Sequence, residues 1–295
     1  MPRLLTLAAV ALAVVLAPRP AFAWGSEAHY FIMDRAIDLL PAEIRPLFDR
    51  YRARVVERMI DPDTWRVAGF GQEDPNHFLD FDVPIYGPYP FTALPRDYDV
   101  AVQKFGVEVV RDNGLIPWRT AEMWGNLRRA FEAYPQNAFG RANILNYAAW
   151  MSHYVSDAHQ PFHGVANYNG QLSGQTGVHA RFEATLFERY RNQLRIAPAA
   201  IPPVMNPRDF IFDAALEDTR LAPTILDADK KAIGDRDVYD DAYYEAFFAG
   251  ARGVMERRLN DSIAAVAAMI AGAWEAAGKP AVPVEPQAPV QRRRR

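Results

Sequence analysis

Between Ala142 and Asp157 the chain offers sixteen residues that are apolar nearly all the way round a helix, with Ile144, Leu145, Tyr147, Trp150, Met151 and Val155 spread over its faces. Such a helix has no solvent side, so it belongs in the centre of the molecule with other elements packed around it. Yet it carries His153 and Asp157, four residues apart and therefore on one face. A carboxylate buried there costs several kcal/mol unless it is paired or binds a metal. Taken alone, the pair fits a hydrogen-bonded core couple as well as a metal site. Pro161 ends the helix and turns His163 back toward the same region.

The rest of the chain reads as further helices. Ala28 to Leu40 has an apolar stripe closed by Pro41, and Ala42 to Met59 is amphipathic and charge-rich. Asp99 to Val110 and Arg119 to Tyr134 follow, then His179 to Leu194, and a last helix from about Asp240 to Ala277. Alternating strand patterns are scarce, so the expected class is all-α. Two proline-rich stretches, Pro84 to Pro90 and Pro198 to Pro207, read as ordered surface loops rather than domain linkers. At the end Pro280, Pro283, Pro286 and Pro289 recur at the three-residue period of polyproline II, and Arg292 to Arg295 close the chain. A solvated tail is expected over 279–295, with adhesion of the arginine run to an acidic surface as its alternative.

The first 23 residues read as a signal peptide. Met1-Pro2-Arg3 is a basic start, and Leu4 to Leu16 is apolar but for Thr6. Ala21-Phe22-Ala23 then matches the small-x-small pattern of a cleavage site. That apolar run is too short to span a hydrocarbon core of ~30 Å. The expectation is a secreted or periplasmic protein, cleaved between Ala23 and Trp24. Losing Arg3 and Arg19 leaves 31 basic against 36 acidic residues, a net charge of −5, with no standing electrostatic clamp for nucleic acid. Absence of cysteine excludes a disulfide scaffold and every thiolate metal site, so any metal must be held by His, Asp, Glu or backbone.

Five of the six histidines fall in such patterns. Beside His153/Asp157/His163 stand His179 and Glu183, again four apart, brought round by turn-forming Asn167-Tyr168-Asn169-Gly170 and Ser173-Gly174. A third cluster pairs Asp61-Pro62-Asp63 with His77, and a fourth pairs Trp24 with His29 on the first helical turn. Each has an ordinary structural explanation, but together they point to a multinuclear zinc site. His159 lies outside all four, with a solvated or supporting role.

In this order the residues resemble the zinc-dependent phospholipases C of bacteria and the fungal single-strand-specific nucleases that share their fold. The likeness rests on the processed N-terminal Trp, a following His, Asp…His, His-x-x-x-Asp-x-x-x-x-x-His and His-x-x-x-Asp/Glu, and runs from Trp24 to Glu183. The resemblance implies a multi-helix, single-domain fold over 24–278 with three zinc ions. One would be held by Asp63, His77, His153 and Asp157. A second would take the amino nitrogen and carbonyl of Trp24, His29, and Asp157 as a bridge. The third would take His163, His179 and Glu183. Asp61 competes with Asp63, which is favoured because Asp63-Thr64-Trp65-Arg66 resembles the family's Asp-x-x-Arg. The pattern also implies a hydroxide shared by two zincs attacking phosphorus in line, with Asp63 beside the attacking water.

For the substrate, Glu183 as last ligand, the first-helix sequence and His77-Phe78-Leu79-Asp80-Phe81-Asp82 lean toward phospholipase C, and Glu27 matches its choline pocket. Thr64 and Asp74 replace that pocket's aromatic residues, and Trp24-Gly25-x-x-x-His29 is closer to the nucleases. Asn167 stands near the place of the nucleases' Gly-Gly-Asn-Asp segment. The expectation is an exported phosphodiester hydrolase, phospholipase C-like first and single-strand-specific nuclease second. A non-catalytic periplasmic zinc-binding protein is the remaining alternative. Its partners would be phospholipid or single-stranded nucleic acid as substrate, with peripheral membrane contact and no obligate protein partner.

Overall fold

The structure is a computed structural model that describes residues 24–137 and 139–284. Its architecture is all-α and single-domain, with no strand among the described residues. The principal helices are α1 (Ser26–Ile37), α2 (Asp61–Val67), α3 (Ile116–Ala133), α4 (Gly140–Asp157), α5 (Pro207–Ile233) and α6 (Asp241–Ala276). No described helix is long and apolar enough to cross a membrane.

The central position of α4 follows from its composition. From Met151 to Asp157 every residue is buried, against α3, α6 and α1. The C-terminal half of α6, Ser262 to Trp274, is also buried on all sides and rich in alanine, which lets neighbouring backbone approach closely. At Gly272 a Cβ would sit 2.0 Å from the carbonyl oxygen of Val204. The loop before α5 is fixed there, with Val204 N–H donating to Ala268 at 3.0 Å. The loop therefore has no room to lift away without exposing apolar surface.

Several boundaries differ from the periodicity reading. The stretch 42–59 is broken at Tyr51 into Arg45–Arg50, Arg52–Glu57 and a 3-10 turn Arg58–Ile60. Gly106, at φ 87°, divides the next into Tyr98–Phe105 and Val107–Asp112, since positive φ suits glycine and interrupts a right-handed helix. Helix α5 is one that the periodicity reading does not name. Its signals are an Asn206 side chain that accepts from the Asp209 N–H, a Pro at the first turn and Gly234 after the last, while Pro223 interrupts the pattern inside it.

Residues 279–284, expected within the tail, lie along the body. The Tyr134 hydroxyl donates to the Pro283 carbonyl at 2.6 Å, Trp274 Nε1 donates to that of Pro280, and Val282 is buried. The signal segment 1–23 and the arginine run lie outside the described residues.

Candidate metal centre

Helix α4 delivers His153 and Asp157 from its last turns, both fully buried. Three other segments close around them. In the first turn of α1, the His29 ring stacks on that of His153, with centroids 4.3 Å apart and planes 19° apart. Proline in the first turn of α2 starts that helix and Asp63 follows, turned inward and 1% exposed. The 3-10 turn Asp74–His77 brings His77 from the opposite side.

Asp157 uses its two oxygens separately. Oδ1 lies 3.4 Å from His29 Nε2. Oδ2 lies 2.9 Å from His77 Nδ1 and 3.2 Å from His153 Nε2. Those two ring nitrogens are 3.0 Å apart, and Asp63 Oδ1 is 3.8 Å from the first and 3.9 Å from the second. A tetrahedral ion with bonds of 2.0–2.1 Å has ligand–ligand edges of about 3.3 Å. Asp63 Oδ1, His77 Nδ1 and His153 Nε2 therefore lie within reach of one ion, with Asp157 Oδ2 beside the two histidine nitrogens.

The third group assembles from two turns after α4. Leu79 N–H donates to the carbonyl of His163 and Phe81 N–H to that of Gly164, so the chain after His77 runs beside the chain carrying His163. His163 Nδ1 is 2.5 Å from the His77 carbonyl. A carbonyl can only accept, so Nδ1 carries the hydrogen and Nε2 keeps its lone pair. That Nε2 is 3.2 Å from His179 Nε2, which is 2.7 Å from Glu183 Oε2. All three residues are buried.

Three buried groups could thus hold a metal ion: His29/His153/Asp157, Asp63/His77/His153 and His163/His179/Glu183. The donor chemistry fits. Both Asp63 oxygens and Glu183 Oε1 are buried with no hydrogen-bond donor. Oxygens in that state carry a desolvation cost that a cation would remove.

Electrostatics point the same way. Burial alone raises the Asp157 carboxyl, but His153 beside it and hydrogen bonds from His153 and His29 hold it well below the usual carboxylate range. Burial pushes Glu183 up and takes His163 to about 3 and His179 to about 4, so these imidazoles are neutral, the form that binds a metal.

The other sequence candidates lie differently. Trp24 is buried, its ring 6.0 Å from that of Phe182, and Gly25 is pressed against Ala184, where a Cβ would be 2.9 Å from the alanine Cβ. The chain before α1 therefore abuts the segment carrying Glu183. Asp61 accepts from Trp150 Nε1 at 2.9 Å and pairs with Arg58, outside the three groups. Glu27 is exposed and paired with Arg191 at 3.1 Å. Asn167 is spent on its own loop, accepting from Leu172 N–H and donating to Ser173 Oγ. His159 is buried, donates Nδ1–H to the Val155 carbonyl, and is lowered to about 3 by burial and by Arg258.

Two residues near the centre escaped the sequence reading. Gln160 Nε2 is 2.8 Å from Glu183 Oε2 and 2.7 Å from His179 Nε2. Its position between His159 and Pro161 was the available signal. Glu73 is buried, accepts from the Tyr154 hydroxyl and from Arg119, and lies 3.8 Å from His77 Nε2, the nitrogen turned away from Asp157. Its spacing four before His77 was the only signal. No protein-family model matches the chain, and no curated protein matches it.

Proposed function

We propose that this protein is an exported, zinc-dependent phosphodiester hydrolase holding three ions, phospholipase C-like in its substrate class. The observation that carries the reading is Asp157, whose two oxygens serve two adjacent donor groups. The third group is linked to the same core by the His163–His77 hydrogen bond. Nitrogen and oxygen donors without thiolate suit zinc in sites that keep a position open. Zinc, when bound, supplies Lewis acidity toward phosphoryl oxygens and brings the ionisation of water into the neutral range.

The chain's own groups complete the chemistry. Asp63, with two carboxylate oxygens free of hydrogen-bond donors, accepts the proton of the attacking water. Arg66, whose Nη2 is 3.6 Å from Asp63 Oδ1, sets a cation beside that carboxylate to meet a non-bridging phosphate oxygen. Trp24 would add its free amine once the preceding segment is removed, an amine whose pKa near ~8 makes deprotonation by a metal inexpensive.

Single-strand-specific nuclease is the second reading, and two observations favour it. Glu27, the carboxylate expected to meet a choline head group, is already paired with Arg191. Tyr168, half exposed, stands with its ring 6.3 Å from that of His179, where a base could stack on it. The test is product release by protein beginning at Trp24, from phosphatidylcholine and other phospholipids in parallel with single-stranded DNA and RNA. Diacylglycerol and a phosphorylated head group support the lipase reading, and nucleotides support the nuclease. Turnover of neither class by zinc-loaded protein overturns the hydrolase and leaves a zinc-binding protein.

A further inference from the structure

The segment carrying His179 and Glu183 is not a regular helix. It opens with an α turn, Val178–Ala180, passes through a π turn over Arg181–Leu186 and resumes as Phe187–Tyr190. A π turn inserts a residue into the helical repeat, and such turns are rare and frequently lie at functional sites. Relaxation to continuous α turns would rotate everything beyond the insertion by about 100°, the angle of one residue. Residues four apart share a face in α turns as well, so Glu183 would stay beside His179 but meet it at a different angle, while the segment beyond would turn away from Gly25.

The first residue of the π turn, Arg181, is buried and held on the side away from the metal groups. Its Nη2 is 2.9 Å and its Nε 3.2 Å from Asp229 Oδ1 on α5. Nε is also 2.9 Å from the Tyr243 hydroxyl on α6, and that hydroxyl donates to the same Asp229 oxygen. The remaining guanidinium hydrogens reach the Thr176 and Gln175 carbonyls, and Gln175 Nε2 donates to Asp229 Oδ2 at 2.7 Å. The guanidinium carbon lies 4.2 Å from the centre of the Tyr239 ring. Gly177, at φ 89°, leaves the space, since a Cβ there would meet Arg181 Nη1 at 2.9 Å.

A buried ion pair is a poor stabiliser compared with apolar residues of the same volume, and its best-attested use is to fix register. We infer that Arg181, Asp229 and Tyr243 form a positioning network that holds the π-turn register and thereby sets the His179–Glu183 geometry for the third metal ion. None of the three touches the metal groups. The inference rests on the proposed reading, which places an ion at His163, His179 and Glu183.

The test is zinc titration of the full processed chain in competition with a chromophoric chelator. Wild type, Tyr243→Phe and His179→Ala are compared, with Asp229→Asn as a second network variant. Tyr243→Phe removes one hydroxyl and is expected to weaken a single ion by about 10–100-fold, the usual effect of disturbing groups behind metal ligands. The other two ions should bind as in wild type, and the far-UV spectrum of the metal-free protein should be unchanged. His179→Ala should abolish that same ion. Network variants that bind every ion as tightly as wild type, or that weaken all ions alike, overturn the inference. If His179→Ala leaves the stoichiometry of wild type intact, the proposed ion itself is refuted, and the inference falls with it.

Discussion

Asp157 faces His29 through Oδ1, 3.4 Å from Nε2, and keeps Oδ2 for His77 on its other side. One carboxylate thus joins α1 to the segment of His77, itself eighty residues from Asp157 in the chain. Replacing Asp157 by Ala removes a donor from two groups at once. Metal analysis should find two of the three proposed ions lost together. Retention of both by the variant contradicts the shared carboxylate.

Removing metal should loosen the whole molecule, because the donors come from α1, α2, α4 and the turns that follow. An ion present at a hundred times its dissociation constant stabilises by about 2.7 kcal/mol. A chain of this size loses about 2–4 °C in Tm per kcal/mol. Scanning calorimetry before and after chelation should show a fall well beyond 5 °C. An unchanged Tm in protein verified as metal-free counts against ions that hold the helices together.

Trp24 is buried against Phe182, and Gly25 has no space beside Ala184. A single extra residue before Trp24 would convert the proposed ligand amine to an amide, a poor metal donor. The expected result is loss of one ion of the pair, that of His29, with the His163 group filled. Equal metal content in extended and exact chains refutes a ligand role for the amine.

Gly164 lies directly after His163 and packs on α5, where a Cβ would be 2.8 Å from the Ala215 carbonyl oxygen and 3.1 Å from the Asp218 Cβ. Gly164→Ala must push the turn off α5. A cost of about 1–3 kcal/mol is expected, the usual range for overpacking. Urea unfolding would measure it. Zinc titration should register the displacement of His163 as weaker binding of the third ion, and wild-type values in both experiments would disprove the tight contact.

Asp80 supplies a pH dependence separate from the metal groups. Burial first, then the neighbouring charge of Asp82, raises its carboxyl from 3.8 to about 7. Between those values the folded chain holds a proton that the unfolded chain has released, so stability falls as pH rises through the window and levels off above about 7. The slope is at most about 1.4 kcal/mol per pH unit. Asp80→Asn should flatten this part of the profile for metal-free protein in urea titrations from pH 4 to 8. A variant with the wild-type slope would place the origin elsewhere.

Much of the fold was legible because helix periodicity is a local rule. The all-apolar circumference of α4 marked it as central, and its four-residue spacing put His153 and Asp157 on one face. The same rule missed α5, where Pro223 breaks the pattern although tertiary packing keeps the helix whole. It also drew 179–194 as one helix, because a π turn leaves no distinct mark in hydrophobic periodicity. Asp61 and Asp63 share one turn, and their sequence cannot say which points inward. The hydrogen bond from Trp150 takes Asp61 outward, while Asp63 is turned toward His77 and His153.

Residue order alone dictates the helical class, the absence of thiolate chemistry and which residue types stand one turn apart. Tertiary structure decided the rest: that the two oxygens of Asp157 meet different histidines, that Gln160 joins His179 and Glu183, and that Arg181 is held by Asp229 and Tyr243. The reason is the range of the forces. Helix geometry fixes neighbours within four residues, whereas contacts across tens of residues depend on which buried surfaces exclude water together.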